Sequence, residues 1–412
     1  MPQQPRVLYV CYDVIPAPKG ASTHVTSFVG ALAAAYEVTL VSLAADPPPP
    51  TDTSPDTPAP VTAGTYHGAR HLQVAPTCPG FLDRAVQFRE AVWDRLAAEA
   101  FEVVHFRTMW AALPVAEEKA RRGFSVLCEV NGVDSIELKY HFPGLRSHPK
   151  VIDKLKRQER LAFDCADALI TPSAVTAKYL TRRGVEADRV TVIPNGVDLT
   201  VFSPGEPPSQ PRSGPVRLLY IGTLAPWQGV DFLLEALALA LRAPDCPALE
   251  LRIVGPLRRQ WVKPLQKLVA RRGLEGCVEL QEPVPHGQVV GLIREADICL
   301  APLMPTERNT VQGCNPVKLF EYMACAKAIV ATRLPVTQEV LSDGEEALLF
   351  SPSKPSRLTD CLLRLAADEA LRAQLGAAAR EKVAKRFQWR HANEALLEVY
   401  RGLLGEERRM ED

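Results

Sequence analysis

Apolar residues in this chain fall into two alternating registers. Short continuous runs, rich in Val, Ile and Leu, mark strands buried on both faces, and longer stretches with an apolar residue every three or four positions mark helices packed over them. Arg6-Val-Leu-Tyr-Val-Cys-Tyr-Asp13 is such a run; the loop 16–22 follows, then a helical pattern over 23–35. Strand, glycine-containing loop, helix is the opening of a doubly wound α/β domain, in which ligands bind at the carboxyl ends of the strands.

The alternation continues with strands at 38–43, 103–106 and 125–130, helices at 82–98 and 174–183, and a strand at 190–194 leading into Asn195-Gly-Val-Asp198. The proline-rich stretch Asp46–Pro60 can enter neither a helix nor an inner strand and is expected as an exposed loop. A second stretch, Ser203–Pro215, has the Pro/Gly/Ser composition of a linker. After it the pattern restarts at Val216-Arg-Leu-Leu-Tyr-Ile-Gly222. It runs through strands at 251–255, 296–302, 328–332 and 345–352, with helices at 356–367 and 369–386. Two domains are therefore expected, 1–205 and 216–387, joined by a linker at 206–215, as 412 residues are too many for one ordinary core.

Composition excludes several classes. Lys plus Arg and Asp plus Glu each number 48, so no global basic bias advertises nucleic acid. No apolar run reaches the length of a membrane span, and Met1-Pro-Gln-Gln-Pro5 lacks the apolar core of a signal peptide. The expectation is a cytoplasmic protein. The basic amphipathic helix around Lys154–Phe163 has a surface that could touch anionic lipid, besides its plainer role as a solvated face. The ten cysteines are scattered without a Cys-x-x-Cys pair, which argues for reduced thiols rather than zinc or disulfides.

Candidate chemistry concentrates at Gly313–Thr332. Asn315 followed by Pro316 reads as a helix start, with Asn315 capping and Pro316 at the first helical position. The helix is predicted to run to about Cys325 and to precede the buried strand Ala328–Thr332. A helix start carries exposed N–H groups and partial positive charge. Lys318 adds a full charge in the first turn, and Glu321 lies three residues on along the same face. N–H groups and a cation for a diphosphate, then a carboxylate for a ribose, suit a nucleotide-sugar.

Asn315-Pro-Val-Lys-Leu-Phe-Glu-Tyr-Met-Ala324 with Ala328-Ile-Val-Ala-Thr332 resembles the donor-site signature of the retaining GT-B glycosyltransferases of family 4. Val190-Thr-Val-Ile-Pro-Asn-Gly-Val-Asp198 and the segment ending at His286 are similar to further family segments. The resemblance implies two facing Rossmann-like domains, the first completed by a terminal helix within 388–412. It also implies a metal-free transfer needing no cofactor, in which Glu321 holds the donor ribose. Lys318 and the helix start at Asn315, Pro316 and Val317 are expected to hold the diphosphate, and the segment containing Val284 to read the base. Gly20 and Gly222 belong to loops where backbone approaches the ligand. Asn131 stands where relatives often carry His, and it is expected to bind the transferred sugar without moving a proton. His105 and Arg107, at a strand end, are expected on the acceptor and sugar side.

The sequence departs from the family at the diphosphate. Relatives commonly have Arg and Lys where this chain has Thr223 and Gln228, and Glu where it has Gly313. Arg308 and Lys318 are the candidates to restore the charge, with Cys314 beside them and Gln312 or Asn309 to bind sugar hydroxyls. The implied activity is transfer of a sugar from a nucleotide-diphosphate sugar to a hydroxyl acceptor with retention, on a lipid-linked glycan of the cell surface or on a small metabolite. The replaced positions leave the alternative of a non-catalytic nucleotide-sugar-binding relative, and a sugar-nucleotide epimerase is a third reading.

Overall fold

The computed structural model describes residues 4–45, 54–206 and 214–406. Parts of the expected proline-rich loop (46–53) and linker (207–213), and the end of the terminal segment (407–412), lie outside them. The chain divides into two compact units, residues 1–194 with 392–412 and residues 195–391.

In the first unit the chain order is β1 (Arg6–Val14), α1 (Gly20–Ala35), β2 (Glu37–Leu43), β3 (Val61–Tyr66), β4 (Ala69–Val74) and α2 (Phe81–Ala98). Then come β5 (Val103–Phe106), α3 (Ala112–Arg122), β6 (Ser125–Glu129), α4 (Asp134–His141), α5 (Pro149–Cys165), β7 (Ala168–Thr171), α6 (Ala174–Arg182) and β8 (Val190–Val192). The sheet order is β3-β4-β2-β1-β5-β6-β7-β8, parallel throughout except for β3, which pairs antiparallel with β4. The chain steps outward from β1 to β2 and β4, then returns to the other side of β1 as β5. That reversal opens a crevice at the carboxyl ends of β1 and β5. Gly20, Arg107 and, one strand further, Asn131 follow these strand ends.

The second unit contains β9 (Val216–Ile221), α7 (Val230–Ala240), β10 (Leu249–Val254), α8 (Arg259–Arg272), β11 (Val278–Gln281), α9 (His286–Glu295) and β12 (Ile298–Ala301). It continues with α10 (Val317–Ala324), β13 (Ala328–Thr332), α11 (Pro335–Gln338), β14 (Leu348–Phe350), α12 (Pro355–Ala367) and α13 (Glu369–Arg386). Its six strands are all parallel, in the order β11-β10-β9-β12-β13-β14. All five residues of β13 are buried, as its unbroken apolar run predicts for a strand covered on both faces. One layer packs α7, α8 and α12 on the sheet, and the other packs α9, α10 and α13. Here the reversal falls between β9 and β12, so the loop after β9 and the approach to α10 share one crevice.

The last helix, α14 (Trp389–Leu404), joins the first unit from Ala392 onward, burying Leu396 and Tyr400. The boundary on the other side differs from the expected one, because residues 195–205 belong with the second unit. The reason is local: Asn195 N donates to Asn315 Oδ1 (2.9 Å), Asn195 Nδ2 donates to the Asn315 carbonyl (2.7 Å), and Val197 N donates to the Phe387 carbonyl (3.0 Å).

Two glycines set the geometry of the β9 crevice. Gly229 holds φ +71° at the start of α7, a left-handed conformation that glycine adopts without strain. A Cβ on Gly255 would lie 1.9 Å from the Gly222 carbonyl oxygen, so the loops after β9 and β10 touch backbone to backbone. Gly255→Ala is expected to cost about 1–3 kcal/mol, the range for overpacking, measured as a lower denaturant midpoint; an unchanged midpoint would contradict the close approach.

Candidate functional site

The helix start at Asn315–Val317 differs from the sequence reading. Pro316 is extended (φ −70°, ψ 112°), α10 begins at Val317, and no side chain caps it. Asn315 spends its amide oxygen on Asn195 instead, because a buried backbone N–H outcompetes a local cap that the short loop would otherwise favour. Leu319 N donates to the Pro316 carbonyl at 3.1 Å, and no side chain caps the N–H groups before it.

Lys318 lies in that turn, half-buried. Its ammonium sits 4.2 Å from the centre of the Tyr220 ring and donates to Gln228 Oε1 at 3.0 Å. The Tyr220 hydroxyl lies 2.6 Å from the Thr223 carbonyl and 3.1 Å from the same Gln228 oxygen. Gly222 has φ +144°, and a Cβ there would fall 2.6 Å from Lys318 Nζ, so glycine makes room for the ammonium. Burial pulls the Lys318 pKa down to about 7, against the opposing pull of Cys314 and Glu321 and with the repulsion of Arg308. The structure thus brings together Gly222, Gln228 and Lys318, with Thr223 exposed beside them. The Arg308 guanidinium lies 5.3 Å from the centre of the Trp227 ring, and its Nη1 donates to Asn309 Oδ1 at 3.2 Å.

Glu321 follows one turn along α10 with its side chain 8% exposed. Its Oε1 accepts from His286 Nε2 at 2.8 Å, and this contact raises the His286 pKa. His286 opens α9, two residues after the half-buried Val284, and the sequence reading passed it over as a site residue. Its signal was present, as the final residue of the segment assigned to the base.

One expectation for this unit is corrected. Asn309 and Gln312 are fully buried, and Asn309 Nδ2 donates to the carbonyls of Trp227 (2.9 Å) and Met304 (2.8 Å). Asn309 fastens the loop before α10 rather than offering its amide to a sugar, and Gln312 is buried in the same loop. Cys314 is also buried, its thiol 3.7 Å from Asn309 Oδ1, and Gly313 is buried with φ +88°.

In the first unit Glu129 closes β6 with its carboxylate 1% exposed. Its Oε1 lies 2.8 Å from His24 Nε2 and 2.9 Å from Arg107 Nε, and also accepts from Asn131 Nδ2. Its Oε2 accepts from Tyr9 Oη at 2.7 Å and lies 3.2 Å from His105 Nε2. Burial alone would raise the Glu129 pKa, but Arg107, His24 and His105 together hold it well below the usual carboxylate range. His105 is fully buried, with Nδ1 2.9 Å from Tyr400 Oη, and burial lowers its pKa despite the carboxylate. His105 and Arg107 therefore face the interior, correcting their assignment to the acceptor side. A strand end fixes how far along the sheet a residue lies but not what its side chain meets, and here a buried anion claims both. Asn131 remains partly exposed, and Gly20 is exposed as the first residue of α1.

All ten cysteines are free thiols. Among the described residues no group of three or more His, Cys, Asp or Glu side chains could hold a metal ion, and no helix is long and apolar enough to cross a membrane.

Fold and site define a two-unit α/β protein whose second unit sets Lys318 at a helix start and the Glu321 carboxylate one turn along the same helix. The model described as "Glycosyltransferase Family 4" matches residues 18–201, and that described as "Glycosyl transferases group 1" matches residues 215–368. A D-inositol 3-phosphate glycosyltransferase of Frankia alni is 31% identical over 327 residues, covering 76% of this chain and 78% of that protein. The protein of the same name from Acidothermus cellulolyticus is 32% identical over 257 residues, 59% of this chain. The match spans only 55% of that relative, so this chain covers little more than half its length. Anabaena HepE in complex with UDP and glucose superposes with a TM-score of 0.72 at 17% identity, covering 97% of this chain and 100% of that one, which places the fold among the GT-B glycosyltransferases. The chain belongs to glycosyltransferase family 4.

Proposed function

We propose that this chain transfers a sugar from a nucleoside diphosphate sugar to a hydroxyl acceptor, with retention of anomeric configuration and without a metal cofactor. One observation carries the reading: the Lys318 ammonium is held at the first turn of α10, between the Tyr220 ring and Gln228, with the Glu321 carboxylate one turn further along. A diphosphate on Lys318 and the uncapped N–H groups places the ribose hydroxyls toward Glu321, oriented by His286, and the base toward the segment at Val284. The leaving diphosphate is the group whose charge must be stabilised. With Thr223 and Gln228 neutral, Lys318 supplies that charge, supported by Arg308. Asn131 and Gly20, in the first unit, serve the sugar and acceptor. HepE, a GT-B neighbour, is described in complex with UDP and glucose, which supports a uridine nucleotide as the first donor to try.

The acceptor we favour is a cell-surface glycan on a lipid carrier, met on the cytoplasmic side of a membrane. The exposed Lys154, Lys156, Arg157 and Arg160 of α5 offer a basic face for such a contact. A second reading, a small phosphorylated polyol, is favoured by relatives named for D-inositol 3-phosphate.

Thermal unfolding with UDP-, GDP- and ADP-sugars tests the donor. The cognate ligand at about a hundred times its Kd adds ~2.7 kcal/mol of stability, and no stabilisation by any of the three would overturn the reading. Glu321→Ala is expected to slow donor turnover at least about tenfold, or ~1.4 kcal/mol in the barrier. Retention is read from the anomeric coupling of the product by NMR, and an inverted product would refute it.

A further inference from the structure

Glu129 does more than fill a polar core. A carboxylate can only accept hydrogen bonds, so the branch of the Asn131 amide that faces it must be the NH2. The other branch, the carbonyl Oδ1, then points away from Glu129 on a residue that keeps part of its surface exposed. The same carboxylate holds Arg107, whose Nη1 lies 3.4 Å from the Ala21 carbonyl in the first turn of α1, next to Gly20. Asn131 and the glycine loop, on two different elements, thus share one buried anchor.

We propose that Glu129 is a positioning residue. By fixing Asn131 Nδ2 it presents Asn131 Oδ1 as a preset acceptor for a hydroxyl of the sugar or acceptor, an inference resting on the glycosyltransferase reading above. Asn131 Oδ1 is thereby aimed at a ligand O–H donor, while one of the two amide N–H groups is already committed to Glu129. A neutral His at this position would meet the same demand, with one ring N–H on Glu129 and the other nitrogen left as an acceptor.

The test uses the full chain and the release of nucleoside diphosphate from whichever of UDP-, GDP- or ADP-glucose the wild type hydrolyses. Asn131→Ala and Glu129→Gln are each expected to slow release on the order of ten- to a hundredfold. The double variant is expected to be no slower than Asn131→Ala, because both changes remove one arrangement. Asn131→His is expected to recover most of the rate. Calorimetric affinity for the free nucleoside diphosphate, which binds the second unit, is expected to stay at the wild-type value in all four.

Glu129→Gln leaves Arg107 buried opposite a neutral group and can fail to fold, so Asn131→Asp provides a second route. There Glu129 faces a second carboxyl among Tyr9 of β1, His24 of α1, and His105 and Arg107 at β5 and its end. The new carboxyl must carry a proton to donate to Glu129. Its activity relative to wild type is expected to rise as pH falls from about 8 to about 5.5. Multiplicative losses in the double variant, no recovery in Asn131→His, or a flat relative pH profile for Asn131→Asp would each overturn the proposal. A wild type that binds none of the nucleotides and releases none overturns the underlying reading instead.

Discussion

Lys318→Met is expected to lower donor turnover by about 10- to 100-fold while leaving the fold as stable as before or more so. A hydrogen bond to a charged group contributes about 1.5–3 kcal/mol, which converts to that range of rate. The stability half follows from burial. Lys318 ordinarily titrates near 10.5, and the folded site pulls it to about 7. Between those values the unfolded chain binds more protons than the folded one, so stability rises with pH across that window. Below pH 7 the protein carries the full penalty of an ammonium partly stripped of water, and methionine removes it. A diphosphate reverses the preference by favouring the charged form. Nucleotide binding above pH 7 must therefore take up a proton, and affinity must fall as pH rises. Calorimetric titration with UDP at pH 8.5, in two buffers of different ionisation heat, is expected to show uptake approaching about one proton. Lys318→Met is expected to show none.

Arg107→Ala is expected to give the largest loss of stability, about 3–5 kcal/mol, the cost of removing one partner of a buried ion pair. Arg107 has its side chain 8% exposed and faces Glu129 at 2.9 Å. Without it the carboxylate keeps hydrogen-bond donors but loses the permanently charged guanidinium, and burial disfavours the charged form of His105. Adding Glu129→Gln to Arg107→Ala is expected to recover part of the loss, because a neutral amide needs no counter-charge. Denaturant unfolding measures both, and equal midpoints for the single and double variants would contradict the account. In the wild type the depressed Glu129 pKa means its stabilisation is complete above pH 4.5 and is lost only as pH falls toward the lower folded value.

These two residues also mark how far the chain could be read before folding. Lys318 and Glu321 were legible because helix spacing alone puts them on one face, and β13 and α13 kept their expected bounds because continuous or periodic apolar patterns leave little choice. Local rules failed where a distant partner intervened. Asn315 has the residue type of a cap, but Asn195, 120 positions earlier, takes its amide oxygen. The hairpin β3–β4 escaped notice because β3 is an exposed edge strand with no alternation to betray it. Glu129 was not singled out within the strand 125–130, although an acid flanked by Cys128 and Val130 in an otherwise apolar run hints at a buried charge. What sequence could not supply was the set of partners. Tyr9, His24, His105 and Arg107 come from three elements, and only the sheet order β1-β5-β6 assembles them.

A structure of the protein with UDP tests the central claim most directly. The account predicts diphosphate oxygens within hydrogen-bond distance of Lys318 Nζ and the first N–H groups of α10, with ribose hydroxyls on Glu321. A nucleotide bound elsewhere, with Lys318 still on Gln228 and Glu321 untouched, would contradict it.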